Sequence, residues 1–137
     1  NDVYERAGNS AVAVETIPSH KTTSYGVAAV NGENRISEIV EKPQPEDAPS
    51  NLGVVGRYLL TPAIFDKLET TERGSGGEIQ LTDAIAALME DEDVYAVPFQ
   101  GVRYDCGDKL GYVIANIDYA LARGDLAPGL RAHLATL

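Results

Sequence analysis

In the stretch EIVEKPQPEDAPSN a single lysine, Lys42, stands between Glu41 and Pro43 in a chain whose 21 Asp and Glu outnumber its 11 Lys and Arg. A cation in so acidic a chain gives phosphate a local partner, and the carboxylate beside it is a hydrogen-bond acceptor. Apolar Ile36 is followed by the adjacent pair Ile39 and Val40, so the inward phase of this strand slips by one residue before Glu41. A bulge or a strand end accounts for the slip. In a regular strand Glu41 and Lys42 would point to opposite faces, whereas at a bulge both can turn toward one site. Pro43 is expected to hold Lys42 in extended geometry and to end the ladder. The plainer alternative is a solvated Glu–Lys pair, which would contribute little.

Asp105, in RYDCGDK, follows a strand-like run and precedes Cys106-Gly107, where a missing Cβ lets the chain turn sharply. A carboxylate there suits Mg²⁺, which takes one or two protein carboxylates and leaves its other positions to substrate phosphates and water. A turn aspartate with no ligand is the competing reading. GSGGEIQLTD is glycine-rich but contains neither G-x-x-x-x-G-K-[ST] nor G-x-G-x-x-G, and reads as a mobile loop before a helix. Cys106, His20 and His133 lack the partners of a nucleophilic site, and their spacing is not that of zinc ligands.

A formal net charge of −10 argues against nucleic acid or an anionic membrane as partner. No apolar run approaches the roughly 20 residues that span a bilayer. One cysteine in 137 residues cannot form an intrachain disulfide, and no secretory signal pattern is present, which favours the cytoplasm. The sequence opens without Met on NDVYERAGNS, read as the last turns of a helix closed by Gly8, so an N-terminal part of a larger protein is expected before it.

The elements that must position these residues alternate between strand and helix. AVAVETIP suits a strand buried on both faces of a mostly parallel sheet. YGVAAV and RISEIVEK form a hairpin around NGEN, with Asn31-Gly32 suited to positive φ. QPEDAPS is a surface loop and NLGVVGRYLL another strand. Thr61-Pro62 predicts an N-cap and first helical position for AIFDKL, with Ile64, Phe65 and Leu68 on one side. IQLTDAIAALMEDED predicts a helix with Ile79, Ile85, Ala86, Leu88 and Met89 at helical spacing. VYAVPFQGVRYDCG predicts two short strands around Gln100-Gly101. The tail predicts two helices separated by Gly124 and Pro128. The class is α/β with an inserted β-hairpin.

In their order, AVAVETIP, SYGVAAV, EIVEKP, PSNLGVVGRYLLTPAIFDKL, GGEIQLTDAI and YDCGDK resemble the C-terminal half of the bacterial UTP:glucose-1-phosphate uridylyltransferases, within the sugar-nucleotidyltransferase superfamily. The resemblance covers essentially the whole chain and implies a Rossmann-like nucleotidyltransferase fold, present as its C-terminal half. PSNLGVVGRY and GGEIQLTDAI favour uridylyl over thymidylyl or adenylyl relatives. It implies that Glu41 accepts hydrogen bonds from glucose hydroxyls and that Lys42 contacts the sugar-linked phosphate as the catalytic cation. It implies that Gly26 lies against the sugar through its backbone, that Val54 lines the same pocket and that Asp105 holds Mg²⁺ with a second aspartate from the other half. The family usually has Ser where this chain has Asp108, which leaves the role of that position open.

The implied reaction joins UTP and glucose 1-phosphate into UDP-glucose and pyrophosphate. Residues 1–109 would then form the sugar-binding side of the catalytic domain, and residues 110–137 helices for subunit contacts in a homo-oligomer. The nucleotide loop, the uracil-reading residues and one metal aspartate belong to the family's N-terminal half. The 137 residues alone are therefore expected to be inactive. Three rivals remain open from the sequence: a non-catalytic sugar-phosphate binding or regulatory module, a thymidylyl or adenylyl sugar-nucleotidyltransferase, and a structural interaction domain.

Overall fold

The computed structural model describes residues 8–74 and 77–137. The helix end read from NDVYERA lies outside them. The chain divides into two compact units, Asn1–Gln100 and Gly101–Leu137.

The first unit is built on β1 (Ser10–Thr16), β2 (Gly26–Val30), β3 (Ile36–Glu41), β4 (Leu52–Leu59) and β5 (Val94–Pro98). They form one sheet in the order β3-β2-β4-β1-β5. Only β1 and β5 run parallel; the β1–β4, β2–β4 and β2–β3 pairs are antiparallel. The expected mostly parallel sheet is thus a mixed one. The unbroken apolar run of β1 reports burial on both faces and carries no information about the direction of its neighbours.

The β2–β3 hairpin forms as expected, but its positive φ falls on Asn34 (60°) and not on Asn31 or Gly32. The Asn31 side chain explains this, since its Oδ1 accepts the amides of Glu33 and Arg35 and fixes the first half of the turn. Of the two accounts of the slip near Ile39 and Val40, the strand end holds, since β3 stops at Glu41, and the bulge lies elsewhere. Register is regular from Glu41 back to Glu38 and slips at Ser37, between the pairs Ala29–Glu38 and Val30–Ile36. This extra residue returns Ile36 to the buried side with Ile39, while Val40 is half-buried.

Helix α1 (Ala63–Thr70) has Pro62, and not Thr61, as its N-cap residue, with no side-chain cap. The Thr61 hydroxyl is engaged elsewhere: it donates to Glu92 Oε2 at 2.9 Å, and the fully buried Ser10 hydroxyl donates to Oε1 of the same carboxylate. The Thr61 amide closes the network on Ser10 Oγ at 3.0 Å. Ile64 is buried and Leu68 packs on the core, but Phe65, about 100° around the helix from Ile64, is 67% exposed. Helix α2 (Leu81–Leu88) begins two residues after Ile79, which is exposed and bridges Arg73 instead. Ala84, Ile85 and Leu88 of α2 join Val12, Val14, Ala28, Ile39 and Val54 of the sheet in the core.

In the second unit, no strand forms at 102–104; among the described residues β5 is the last strand, and the chain turns at Gly101 with φ 135. A three-residue alternation without a neighbouring strand to pair with gains no ladder. Helix α3 (Lys109–Leu121) is capped by Asp108, whose side chain accepts the Gly111 amide at 2.8 Å. Helix α4 (Ala127–Leu134) takes Pro128 into its first turn, where no amide is required, so Pro128 starts this helix and does not merely separate the two. No helix among the described residues is long and apolar enough to cross a membrane.

Candidate functional site

Three of the residues singled out from the sequence fall in one row across the sheet. Glu41 pairs with Gly26 across β3 and β2. The β2–β4 register, Val27 with Gly53 and Ala28 with Leu52, continues to set Gly26 beside Val54. Residues in one row share a face, so Glu41, Gly26 and Val54 are all on the side that carries the core and α2. Val54 itself is buried.

The Glu41 side chain is only 16% exposed. A carboxylate so far withdrawn from water needs partners. Its Oε2 accepts the Thr82 hydroxyl at 2.6 Å, and its Oε1 lies 3.8 Å from Lys42 Nζ. The second distance is an ion pair without a hydrogen bond, so Oε1 keeps acceptor capacity for a hydroxyl. The site has no room to spare behind it. A Cβ on Gly26 would stand 3.1 Å from Thr82 Oγ1 and 3.2 Å from Glu41 Oε2.

Lys42 reaches Glu41's side by a route other than the expected one. It is not extended: its φ is 46°. Its amide donates to the Tyr25 carbonyl at 2.9 Å, carrying the ladder one bond beyond Glu41 while the chain swings out of the sheet toward Pro43. The left-handed turn, and not a bulge, lets neighbouring residues address one place. The Lys42 side chain is half exposed, so the ammonium faces solvent and any incoming anion.

Burial pushes the half-buried Tyr58 phenol above the usual tyrosine value, and the negative charge of Glu41 adds to the rise.

In the second unit Asp105 is exposed, and its Oδ1 accepts the Gly107 amide at 3.0 Å, an Asx-turn. A Cβ on Gly111 would collide with the Asp105 carbonyl oxygen, so this glycine lets the turn sit against the start of α3. The Tyr104 hydroxyl donates to Asp118 at 2.9 Å and its ring meets that of Tyr119 at 5.7 Å, tying the residue before Asp105 to α3. The turn leaves one carboxylate oxygen of Asp105 for a hard cation. No cluster of three or more His, Cys, Asp or Glu able to hold a metal occurs among the described residues. The donor set therefore fits Mg²⁺ only as one ligand of a shared site. Position 108 now has a role: Ser and Asp are equivalent helix N-caps, and Asp108 performs that function.

Thr82 is the residue that sequence reading missed. The signal was present: positions 82, 85 and 88 form the buried stripe of α2, and a hydroxyl on such a stripe requires a partner.

A mixed five-stranded sheet with helices is the Rossmann-like arrangement of nucleotidyltransferases, and the nucleotidyl transferase family model matches residues 2–121; the chain belongs to that family. Among its members it is similar to the UTP–glucose-1-phosphate uridylyltransferases. It is 46% identical over 140 residues to that of Staphylococcus epidermidis, covering 99% of this chain and 49% of the relative. It is 47% identical over 141 residues to that of Streptococcus pneumoniae serotype 4, covering 99% and 47%. Among solved structures, UTP-bound UGPase from Acinetobacter baumannii superposes with a TM-score of 0.86 at 38% identity, over 99% of this chain and 48% of that one. UDP-glucose pyrophosphorylase complexed with UDP-glucose gives 0.83 at 41% identity, over 89% and 48%. The chain spans about half the length of these relatives.

Proposed function

We propose that this chain supplies the sugar-phosphate side of a UTP:glucose-1-phosphate uridylyltransferase. The observation that carries the proposal is the pairing of a nearly buried, hydroxyl-anchored Glu41 carboxylate with the half-exposed Lys42 ammonium 3.8 Å away. One group suits sugar hydroxyls and the other the adjoining phosphate. Gly26 brings backbone against the sugar, and Val54 lines the same pocket.

In the reaction, a phosphate oxygen of glucose 1-phosphate attacks the α-phosphorus of UTP in line. The new P–O bond yields UDP-glucose, the bond from the α-phosphorus to the bridging oxygen breaks, and pyrophosphate leaves with its electron pair. No protein nucleophile is needed. Lys42 holds and neutralises the attacking phosphate, and Glu41 fixes the sugar so that this oxygen is aligned. Asp105 would be one ligand of Mg²⁺, which supplies further charge neutralisation at the phosphates when bound.

Residues 1–109 would form the sugar-binding side. Residues 110–137 would make subunit contacts in a homo-oligomer, a role supported by exposed Leu110, Tyr112, Val113 and Ile114 on α3. An exposed free thiol, Cys106, is compatible with a cytoplasmic protein.

The test is pyrophosphate release and calorimetric binding of glucose 1-phosphate by the full-length protein containing this chain. Turnover requiring both UTP and glucose 1-phosphate is expected. Sugar-phosphate binding without turnover would favour a non-catalytic module instead. The 137 residues expressed alone should release no pyrophosphate, because the nucleotide-aligning half of the family site is supplied by other residues. Turnover by them alone would overturn that division.

A further inference from the structure

The hydroxyl of Thr82 is held in a place that no part of the proposed reaction uses directly. It lies on the first turn of α2, is 6% exposed, and donates to Glu41 Oε2 at 2.6 Å. A structural role alone would be met by any buried acceptor, and an alkyl side chain of the same shape would fill the space without a donor. Instead the hydroxyl is matched to the one carboxylate at the end of β3. Gly26 completes the arrangement, since even a methyl group there would press on both partners at 3.1 and 3.2 Å.

We infer that Thr82 is a positioning residue that fixes which oxygen of Glu41 is offered to the sugar; the inference rests on the reading of Glu41 as the sugar-binding carboxylate. A glutamate side chain has three rotatable bonds, and its terminal one is soft. With Oε2 tied to a helix, the remaining oxygen, Oε1, is presented beside Lys42. A sugar hydroxyl and its phosphate then meet an acceptor and a cation at a set separation. Without the tether, Glu41 is free to turn Oε1 onto Lys42 and form a closed ion pair, which removes both groups from the ligand. Thr82 thus acts on the sugar phosphate and not on the nucleotide.

The experiment compares Thr82→Val, Thr82→Ser and Gly26→Ala in the full-length protein, with Lys42→Ala as control. Loss of one charge-assisted hydrogen bond should raise KM for glucose 1-phosphate about tenfold in Thr82→Val, with KM for UTP within twofold of wild type. Thr82→Ser, which keeps the donor, should restore most of the loss. Gly26→Ala should show the same selective rise, because its methyl group displaces the same pair. Equal effects on both substrates, or a Thr82→Ser as impaired as Thr82→Val, would reduce Thr82 to a packing residue and overturn the inference. So would unchanged kinetics in Thr82→Val while Lys42→Ala is impaired. If wild-type protein neither binds nor turns over glucose 1-phosphate, the reading of Glu41 itself fails, and this outcome is distinct from the others.

Discussion

The Lys42 amide donates to the Tyr25 carbonyl at 2.9 Å while the Lys42 backbone holds φ 46. A non-glycine residue in the left-handed region is uncommon, and one followed by proline is further restricted. Such a conformation costs about 1–2 kcal/mol, offset here only in part by the hydrogen bond. Strain of this kind at a candidate ligand-binding residue is a positional device: it brings Lys42 round to the side of Glu41.

Two substitutions separate the charge of Lys42 from its backbone. Lys42→Ala and Lys42→Gly both remove the ammonium, and each should lower kcat/KM for glucose 1-phosphate by roughly 10–100-fold in the full-length protein. Only glycine also relieves the left-handed backbone. Allowing for the greater freedom of glycine when unfolded, the Gly variant should be about 0.5–1 kcal/mol more stable than the Ala variant in urea denaturation. Equal stabilities would show that Lys42 is not strained, and near-normal kinetics would remove it from the site.

The second prediction concerns alkaline pH. Burial, then the charge of Glu41, raises the Tyr58 phenol above its unfolded value of about 10. The folded state therefore binds this proton more tightly than the unfolded chain does. The associated stability is complete below about pH 10 and is lost as pH rises through the higher folded value. Tyr58→Phe should flatten this part of the decline above about pH 10 in thermal melts. Glu41→Gln should leave Tyr58 less shifted, which an ultraviolet phenolate titration would record. A profile for Tyr58→Phe parallel to wild type would remove Tyr58 as a contributor.

How much of this was legible in the sequence varied with the range of the interaction. The β2–β3 hairpin follows from its short turn, but the pairing of Gly26 with Glu41 needs the extra residue in β3 as well, since a regular ladder from the Val30–Ile36 pair would set Gly26 opposite Val40. The position of the bulge did not follow. Ile39 and Val40 are both apolar, so the inward phase reads as slipping there, by a bulge or a strand end; β3 does end at Glu41, but the extra residue is Ser37 and Val40 simply lies on the opposite face of the strand. The rule for residues before proline failed at Lys42, where a hydrogen bond to Tyr25 and the exit from the sheet outweigh a local preference. Thr61 has the residue type of an N-cap, but the carboxylate of Glu92, 31 residues away, recruits its hydroxyl. Thr82 and Glu41 are separated by 41 positions, and no local pattern connects them.

The last prediction tests Asp105 as a metal ligand apart from its turn. Asp105→Asn keeps the shape and leaves a carbonyl oxygen that can still accept the Gly107 amide, so the Asx-turn and α3 should persist. What it loses is the negative charge and a hard anionic donor. If Asp105 binds Mg²⁺, the full-length variant should need about tenfold or more Mg²⁺ for half-maximal rate, with its melting temperature within about 2 °C of wild type. Gly111→Ala should behave differently, because its methyl group meets the Asp105 carbonyl and must displace either the turn or the start of α3. That variant should lose thermal stability as well as Mg²⁺ response. An unchanged Mg²⁺ titration in Asp105→Asn would leave Asp105 a turn residue, and the pair of variants tells that outcome apart from a general loosening of the segment around α3.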